Sequence, residues 1–207
     1  MKSEHVDTLE DEYNALGEKY SKCASNIIMT DGTYEYIANY IARKNIFSQG
    51  DRILSAGCGN GYLDEILSKK YRDLNLVRFA FDLSESMVNN AKKLNPDITH
   101  EVAALPKTPY NEKDFDVILL SEVLEHCAEP LGSLLELRRV LKDKGYLIVT
   151  IPNGDWIGFN RYLENRSSFQ PADDYFYTFS EVQNLFRKSG FRVYDYAGWA
   201  GVIPKRK

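Results

Sequence analysis

A glycine-rich turn in the first third of the chain limits most strongly what the chain can fold into. Residues 57–61 read GCGNG and come after residues 52–55, RILS, which are predicted to be the first strand. A helix is predicted at residues 62–71, because its leucines and isoleucine recur on one face at helical spacing. Glycines permit positive φ and close approach of a ligand, and the N–H groups at a helix start favour negative charge. A strand, a glycine turn and a helix in this order predict a ligand-binding site.

The spacing of the three glycines separates the candidate ligands. A dinucleotide site requires G-x-G-x-x-G, whereas here Gly61 comes one residue early and Tyr62 follows it. The chain also lacks the G-x-x-x-x-G-K-S/T of phosphate-binding loops. An NAD-dependent oxidoreductase is therefore a weak interpretation. The alternative is a glycine turn that only connects the strand to the helix and binds no ligand. The sequence downstream of the turn distinguishes these two interpretations.

Charge and composition exclude several classes of protein. The chain has 207 residues, enough for one domain with its own core, and a formal net charge of −4 with dispersed basic residues. Nucleic acid is therefore not expected as a partner, and residues 205–207, KRK, are expected to be a solvated tail. No apolar run is long enough to insert into a membrane, and the polar N-terminus is unlike a secretory signal. The three cysteines have neither disulfide nor metal spacing, so we expect a cytoplasmic protein without a metal site.

Predicted strands and helices alternate after the glycine turn. Strands are expected at residues 76–81, 99–103, 114–120 and 146–151, and the third of these is the nearly continuous apolar run typical of the centre of a parallel sheet. Residues 141–145, LKDKG, are predicted to be a turn before the last strand. The pattern predicts an α/β fold with a mostly parallel sheet and helices on both faces.

An acidic residue, Asp82, ends the second predicted strand, 21 positions after Gly61. A carboxylate at this place can accept hydrogen bonds from both ribose hydroxyls of a nucleotide. Asp82 could instead cap the helix predicted at residues 84–94, although Ser84 can do so as well. Met87, on the inner face of that helix, is expected in the core, with contact to an adenine ring as the alternative.

The N-terminal 50 residues are predicted to be helical, with Asp31 as the N-cap of the second helix. They either pack on the sheet or form a lid over the ligand, with Tyr13 or Tyr20 reaching inward.

The region after the fifth strand is rich in aromatic residues between positions 156 and 177, and forms either a small satellite core or the wall of an acceptor pocket. A capping box, Ser180 to Gln183, predicts a further helix that ends at Gly190. A sixth strand is predicted at residues 191–197, and the short remainder leaves little room for a seventh.

These segments, in this order, resemble class I methyltransferases that depend on S-adenosylmethionine (SAM). The resemblance rests on GCGNG, on Asp82, on HEVAALP at residues 100–106 and on SEVLEH at residues 121–126, and it is to the small-molecule branch that includes quinone-biosynthesis enzymes. It implies a Rossmann-like fold and transfer of a methyl group from SAM to a small-molecule acceptor, on oxygen or nitrogen, with S-adenosylhomocysteine (SAH) as product.

The resemblance divides the chain and assigns its binding residues. Within a single domain, residues 1–50 form the lid, 51–153 the SAM-binding core and 154–207 the acceptor side. Glu101 would accept from the adenine amino group, and the backbone N–H of Val102 would reach a ring nitrogen. The residues expected at the cofactor are Tyr20, Ser55, Gly57, Cys58, Gly59, Gly61, Asp82, Leu83, Met87, Glu101, Val102, Ala103, Ser121 and Glu122.

One position departs from the family pattern. The strand residue two before the first glycine, commonly an acid that holds the methionyl ammonium group of SAM, is Ser55 here. A hydroxyl carries no charge, so another carboxylate has to take over or SAM binds more weakly. Asp51, Asp64 and Glu122 are the candidates near in sequence, and the sequence does not choose among them.

His126 is the first candidate for a catalytic base, because an imidazole can take up a proton near neutral pH, and Glu122 is the second. The alternative for His126 is a purely structural role at the start of the helix that follows. The alternative for the chain as a whole is a catalytically silent SAM-binding or scaffold subunit, which Ser55 and the short C-terminal part favour. The acceptor is not identified, and assembly into a homodimer is left open.

Overall fold

Five parallel strands form the sheet. The structure, a computed structural model, describes residues 28–154 and 175–198. The strands are β1 Arg52–Ala56, β2 Val77–Asp82, β3 Thr99–Val102, β4 Phe115–Ser121 and β5 Leu141–Thr150. Their order in the sheet is β3-β2-β1-β4-β5. The strand order reverses between the central strands β1 and β4, and ligands of open α/β sheets bind outside the carboxyl ends of the strands at such a point.

Helices cover both faces of the sheet, as predicted. They are α1 Ile28–Lys44, α2 Tyr62–Lys70, α3 Glu85–Leu94, α4 Pro130–Val140 and α5 Phe179–Lys188, with 3-10 turns at Arg72–Leu74 and Leu124–His126. Successive strand side chains point to opposite faces. One face packs against α1 and α2, and the other against α4 and α5. None of the helices in the described ranges is long and apolar enough to cross a membrane.

Helix α1 forms part of the layer on one face of the sheet. Ile37, Ala38 and Ile41 are almost fully buried in the cluster that also contains side chains of α2. The predicted N-cap at Asp31 is wrong, because the backbone is already helical from Ile28 onward. The predicted lid residues Tyr13 and Tyr20 lie outside the described residues.

The predicted turn at residues 141–145 is instead part of β5. Leu141 pairs with Phe115 and Tyr146 pairs with Val117, so the residues between Leu141 and Tyr146 bulge out of the ladder without ending the strand. Lys142 donates to both carboxylate oxygens of Asp116, at 2.8 and 2.7 Å, which holds the bulge against β4. A register shift of this kind leaves no periodic signal in the sequence.

Helix α5 begins before the predicted capping box. Thr178 is the N-cap: its Oγ1 accepts from the backbone N–H of Glu181 at 3.3 Å, while the Glu181 carboxylate accepts from the Thr178 N–H at 2.8 Å. Ser180 lies inside the helix, so the predicted box from Ser180 to Gln183 is wrong. Both segments fit the sequence pattern of a capping box, and the earlier one forms.

The sixth strand predicted at residues 191–197 does not join the sheet in the described part of the chain. Side chains rather than backbone pairing hold this segment. The Tyr194 ring lies 6.3 Å from that of Tyr146 on β5, and Asp195 accepts a 3.0 Å hydrogen bond from Tyr40 and pairs with Lys44 on α1. The alternation of side chains in residues 191–197 therefore does not correspond to a strand with one buried face.

Candidate active site

The glycine turn between β1 and α2 is fastened to the neighbouring strand β2. The backbone N–H groups of Gly57 and Cys58 both donate to the carbonyl of Phe81 at 2.9 Å. A side chain at Gly57, where φ is +69°, would collide with Val123, which follows β4. The turn is therefore pressed between β2 and the segment after β4, at the point where the strand order reverses.

Gly59 and Gly61 also have positive φ, of +52° and +80°, but their surroundings differ. A Cβ at Gly59 would meet no atom within 4 Å, so this part of the turn faces open space. A Cβ at Gly61 would lie 2.6 Å from Nδ2 of Asn95 and 3.1 Å from the Cβ of Ala91. Gly59 thus leaves room for a ligand, whereas Gly61 lets α2 start close to α3.

The Asp82 carboxylate lies at the carboxyl end of β2 and faces the glycine turn. Its Oδ2 accepts from the Gly59 N–H at 2.8 Å and its Oδ1 from the Ser84 N–H at 3.0 Å. Burial raises the pKa of Asp82, and hydrogen bonds from the backbone of Ser84, Gly59 and Leu83 act against that rise. Ser84 is the N-cap of α3, with its Oγ accepting from Met87 N–H at 3.2 Å, so Asp82 is not needed as a cap.

The end of β3 lies beside Asp82. Val102 is the register partner of Asp82, Glu101 is the partner of Phe81, and the Ala103 N–H donates to the Asp82 carbonyl at 3.0 Å. Val102 is 50% exposed at this edge. The structure therefore brings the predicted ribose and adenine positions, which come from two separate sequence segments, to adjoining strand ends. Met87 is 6% exposed, in agreement with core packing.

A small cavity of about 20 Å³ lies beside the end of β1. Its walls combine hydroxyl groups, one carboxylate and backbone of the glycine turn, and they are formed by Tyr34, Ser55, Ala56, Gly57, Cys58, Leu63, Asp64, Leu119 and Ser121. Asp64, on α2, is 2% exposed, and its Oδ1 accepts from Ser55 Oγ at 2.7 Å and from Arg78 at 2.6 Å.

Cys58 of the glycine turn also lines this cavity. Burial raises the pKa of Cys58, and the negative charges of Asp82 and Asp64 raise it further. The thiol therefore stays protonated at neutral pH, which removes it as a nucleophile. Both carboxylates lie next to the glycine turn: Asp82 accepts from the Gly59 N–H, and Asp64 lines the cavity together with Gly57 and Cys58.

Polar residues follow β4 at the same edge of the sheet. Ser121 shares a 2.9 Å hydrogen bond with Thr150 Oγ1 at the end of β5, and the Glu122 N–H donates to the Thr150 carbonyl at 3.0 Å. Glu122 has a φ of +55°, a sparsely populated conformation for a residue with a side chain, and strain of this kind concentrates at functional sites. Burial raises the pKa of the Glu122 carboxylate, while a hydrogen bond with Thr150 and the charge of His126 lower it.

His126 lies in the 3-10 turn after β4, within electrostatic reach of Glu122. Its side chain is 16% exposed, and its Nε2 is 4.0 Å from the Glu125 carboxylate. The two predicted catalytic residues, Glu122 and His126, lie four positions apart and within electrostatic reach of each other.

Sequence reasoning missed two residues of this region and left a third undecided. Tyr34 of α1 lines the cavity, and Thr150 holds Ser121 and Glu122. Both belong to elements distant in sequence from the motifs. Asp64 is one of three alternatives in the sequence, and its burial beside Ser55 distinguishes it from the other two.

A parallel sheet in this strand order, with a glycine turn after β1 and a carboxylate at the end of β2, defines a Rossmann-like nucleotide-binding protein. The methyltransferase domain family matches residues 54–149, from β1 to β5. Residues 54–149 of the chain therefore form a class I SAM-dependent methyltransferase domain, which makes SAM its cofactor.

Two relatives and one solved structure show what the chain is similar to. The chain is 30% identical to an uncharacterized protein of Methanocaldococcus jannaschii, over 87% of this chain and 75% of that one. It is 27% identical to a "Putative 23S rRNA (guanine-N(1)-)-methyltransferase" of Bacillus subtilis, over 69% of this chain and 48% of the relative, so it spans only about half of that protein. The fold matches a Thermotoga maritima structure described as a "SAM-dependent methyltransferase, possible histamine N-methyltransferase", with a TM-score of 0.68, 22% identity and coverage of 87% and 82% of the two chains.

Proposed function

We propose that this chain transfers the methyl group of SAM to an oxygen or nitrogen atom of a small-molecule acceptor, at the carboxyl edge of the sheet. The observation that carries the proposal is the Asp82 carboxylate bound to the N–H of Gly59, because it fixes a nucleotide-type acceptor group against an open glycine turn. The small acceptor is the finer part of the proposal and needs its own test.

The residues at this edge fit SAM. The open space at Gly59 leaves room for the ligand to lie against the backbone. A carboxylate offers about four acceptor positions, and the three backbone N–H groups on Asp82 leave about one for a ribose hydroxyl. The cavity at Ser55 is large enough for one water-sized polar group, such as an ammonium. Glu101, Val102 and Ala103 would contact the adenine, as the resemblance implies.

When bound, SAM supplies a methyl group on a positively charged sulfur, which is a good leaving group. The contribution of the protein is then mainly to hold the acceptor in line with that group and to exclude water. Orientation of this kind can lower a barrier by about 7–11 kcal/mol. The glycine turn, Asp82 and the β3 edge fix the nucleoside half, and the residues after β4 face the acceptor side.

An acceptor hydroxyl or ammonium group has to lose a proton, and we assign that proton to the imidazole of His126. The resulting imidazolium would be stabilised by Glu122, since the charges of these two side chains already interact. Thr150 holds Glu122 in place through its hydrogen bond. Glu122 is thus assigned to support the base, and it takes over as the base if His126 proves dispensable.

The charge of the chain supports a small acceptor over RNA. The net charge is −4, and a polyanion is bound through clustered lysine and arginine side chains. The Bacillus relative carries the name of an rRNA methyltransferase and the Thermotoga structure that of a possible histamine methyltransferase, so acceptors of both classes have to be compared.

The test has two stages. Calorimetry with SAM, SAH and NAD should give binding of the first two only, and Gly59→Val should abolish it. Radiolabelled SAM is then incubated with the protein and either a metabolite extract or purified rRNA, and label is expected in the metabolite fraction. Label in rRNA alone would overturn the small acceptor, and absence of SAM binding would overturn the whole proposal. SAM binding without transfer to either would favour the silent SAM-binding subunit.

A further inference from the structure

The cavity beside β1 contains a buried carboxylate that the proposed chemistry does not yet use. Asp64 is 2% exposed and is the acidic side chain among the described residues that line this cavity. We propose that Asp64 binds the ammonium group of SAM, with the Ser55 hydroxyl as its partner at the end of β1. This inference rests on the proposed function and specifies how the same site recognises the amino-acid half of its cofactor.

The hydrogen bonds of Asp64 leave one face of the carboxylate for a ligand. Ser55 Oγ and Arg78 Nη2 both donate to Oδ1, at 2.7 and 2.6 Å. Within the described parts of the chain, Oδ2 receives no hydrogen bond. A carboxylate can accept about four, so capacity remains for an ammonium group, and the Ser55 oxygen keeps lone pairs for the same cation.

Arg78 explains how this carboxylate can stay buried before a ligand arrives. Its guanidinium is 9% exposed and contacts the Asp64 carboxylate, the Asp64 carbonyl at 3.0 Å and the Ser68 hydroxyl. A buried charge without such a partner is costly, and a pair that also satisfies its hydrogen bonds is tolerated. Arg78 is not among the residues that line the cavity, whereas Asp64 and Ser55 are.

The other two candidate carboxylates lie elsewhere. Asp51 is at the opposite end of β1, where its Oδ2 accepts from the Ser48 N–H at 2.7 Å. Ser55 follows Asp51 by four positions of extended chain, a distance of about 13 Å. Glu122 is bound to Thr150 and interacts with His126 after β4.

The size and position of the cavity match an ammonium group. Its volume of about 20 Å³ is that of a single water-sized group. Asp82 is bound to Gly59 of the glycine turn, and Asp64 lines the cavity together with Gly57 and Cys58 of the same turn, so a ligand along the turn can reach both carboxylates. Asp82 would bind a hydroxyl of its ribose and Asp64 its ammonium group.

The test uses two ligands that differ by one group: SAH and the SAH analogue that lacks only the α-amino group. Calorimetry should give the wild type a preference for SAH of about 10- to 100-fold, the effect of a hydrogen bond to a charged group. Asp64→Asn should reduce that preference to about one while leaving the affinity for the analogue unchanged. Asp97→Asn, at an exposed aspartate, is the matched control and should keep the full preference.

A charge swap separates binding from folding. Ser55→Asp combined with Asp64→Ser returns the carboxylate to the strand and should restore the preference for SAH, and thermal unfolding of each variant monitors the fold. A wild-type protein that binds both ligands equally, an Asp64→Asn variant that keeps the preference, or a swap variant that does not regain it would overturn the inference. A wild-type protein that binds neither SAM nor SAH would instead overturn the proposed function.

Discussion

The Oδ2 atom of Asp82 accepts a 2.8 Å hydrogen bond from the backbone N–H of Gly59, which joins the end of β2 to the turn after β1. The opposite oxygen accepts from the N–H of Ser84, at the start of α3. One side chain thus aligns a glycine turn, a strand end and a helix start. The Asp82 carboxylate therefore has two roles: its oxygen atoms hold the ligand-binding edge together, and we expect the same atoms to bind the ribose.

Replacing Asp82 by Ala should weaken SAM binding by about 1.5–3 kcal/mol, because a charged acceptor for hydroxyl groups is lost. Asp82→Asn should lose less, since its amide oxygen still accepts. Calorimetry measures both, with Asp97→Ala at an exposed site as the control. Wild-type affinity in both Asp82 variants would reduce Asp82 to a structural role in the turn.

Gly59→Val and Gly61→Val should separate binding from folding. The side chain at position 59 enters open space, so the expected loss of stability is the cost of a left-handed conformation, about 1–2 kcal/mol, together with complete loss of SAM binding. At position 61 the side chain collides with Asn95 and Ala91, so the unfolding temperature should fall further. Thermal unfolding without SAM measures the loss of stability in each variant, and unfolding with SAM measures whether the variant still binds the cofactor. A Gly59→Val protein that SAM still stabilises would contradict the placement of the cofactor.

The sheet was predictable because its signals are local and periodic. The apolar run of β4 and the strand before the glycine turn appear where expected, and the fold class follows from their order. The bulge between Leu141 and Tyr146 was not predictable, because it depends on the contact of Lys142 with Asp116 on another strand. The predicted sixth strand failed for the same reason: alternation of side chains does not say whether a backbone finds a partner.

The site was predictable wherever its residues belong to a motif. Gly59 and Asp82 meet as expected, although they are separated by a helix and a strand. The choice of Asp64 needed the structure, since an acid in the first turn of a helix is equally explained by the helix dipole. Its burial against Ser55 and Arg78 is a packing relationship between three elements.

Stability should depend on pH through Glu136 of α4. Burial raises the pKa of Glu136, but hydrogen bonds from Arg139 and Thr108 outweigh that effect and bring the pKa down to about 2, from an ordinary value of 4.5. A lowered pKa contributes stability above pH 4.5 that is lost as the pH falls towards 2. Glu136→Gln should therefore cost about 1–2 kcal/mol at neutral pH and flatten the loss of stability in acid.

Urea unfolding at a series of pH values measures this effect. Glu35→Gln, at an exposed glutamate of α1, is the matched control and should follow the wild type throughout. Parallel curves for Glu136→Gln and the wild type, from neutral pH down to the acid range, would show that the bonds to Thr108 and Arg139 do not favour the ionised form.

His126→Asn should slow methyl transfer far more than it weakens SAM binding. A positioned general base contributes about 10²- to 10⁴-fold, and an asparagine side chain cannot accept the proton. The wild-type rate should also fall in acid, because a protonated imidazole cannot take up a second proton, and this dependence should vanish in the variant. Single-turnover rates at saturating SAM, measured across pH for the wild type, His126→Asn and Glu122→Gln, provide the data.

Since Glu122 is assigned to stabilise the imidazolium, the Glu122→Gln variant should be impaired less than His126→Asn. Its rate should still fall in acid, as that of the wild type does. If His126→Asn retains the full rate while Glu122→Gln loses it, the carboxylate is the base and His126 serves the turn after β4.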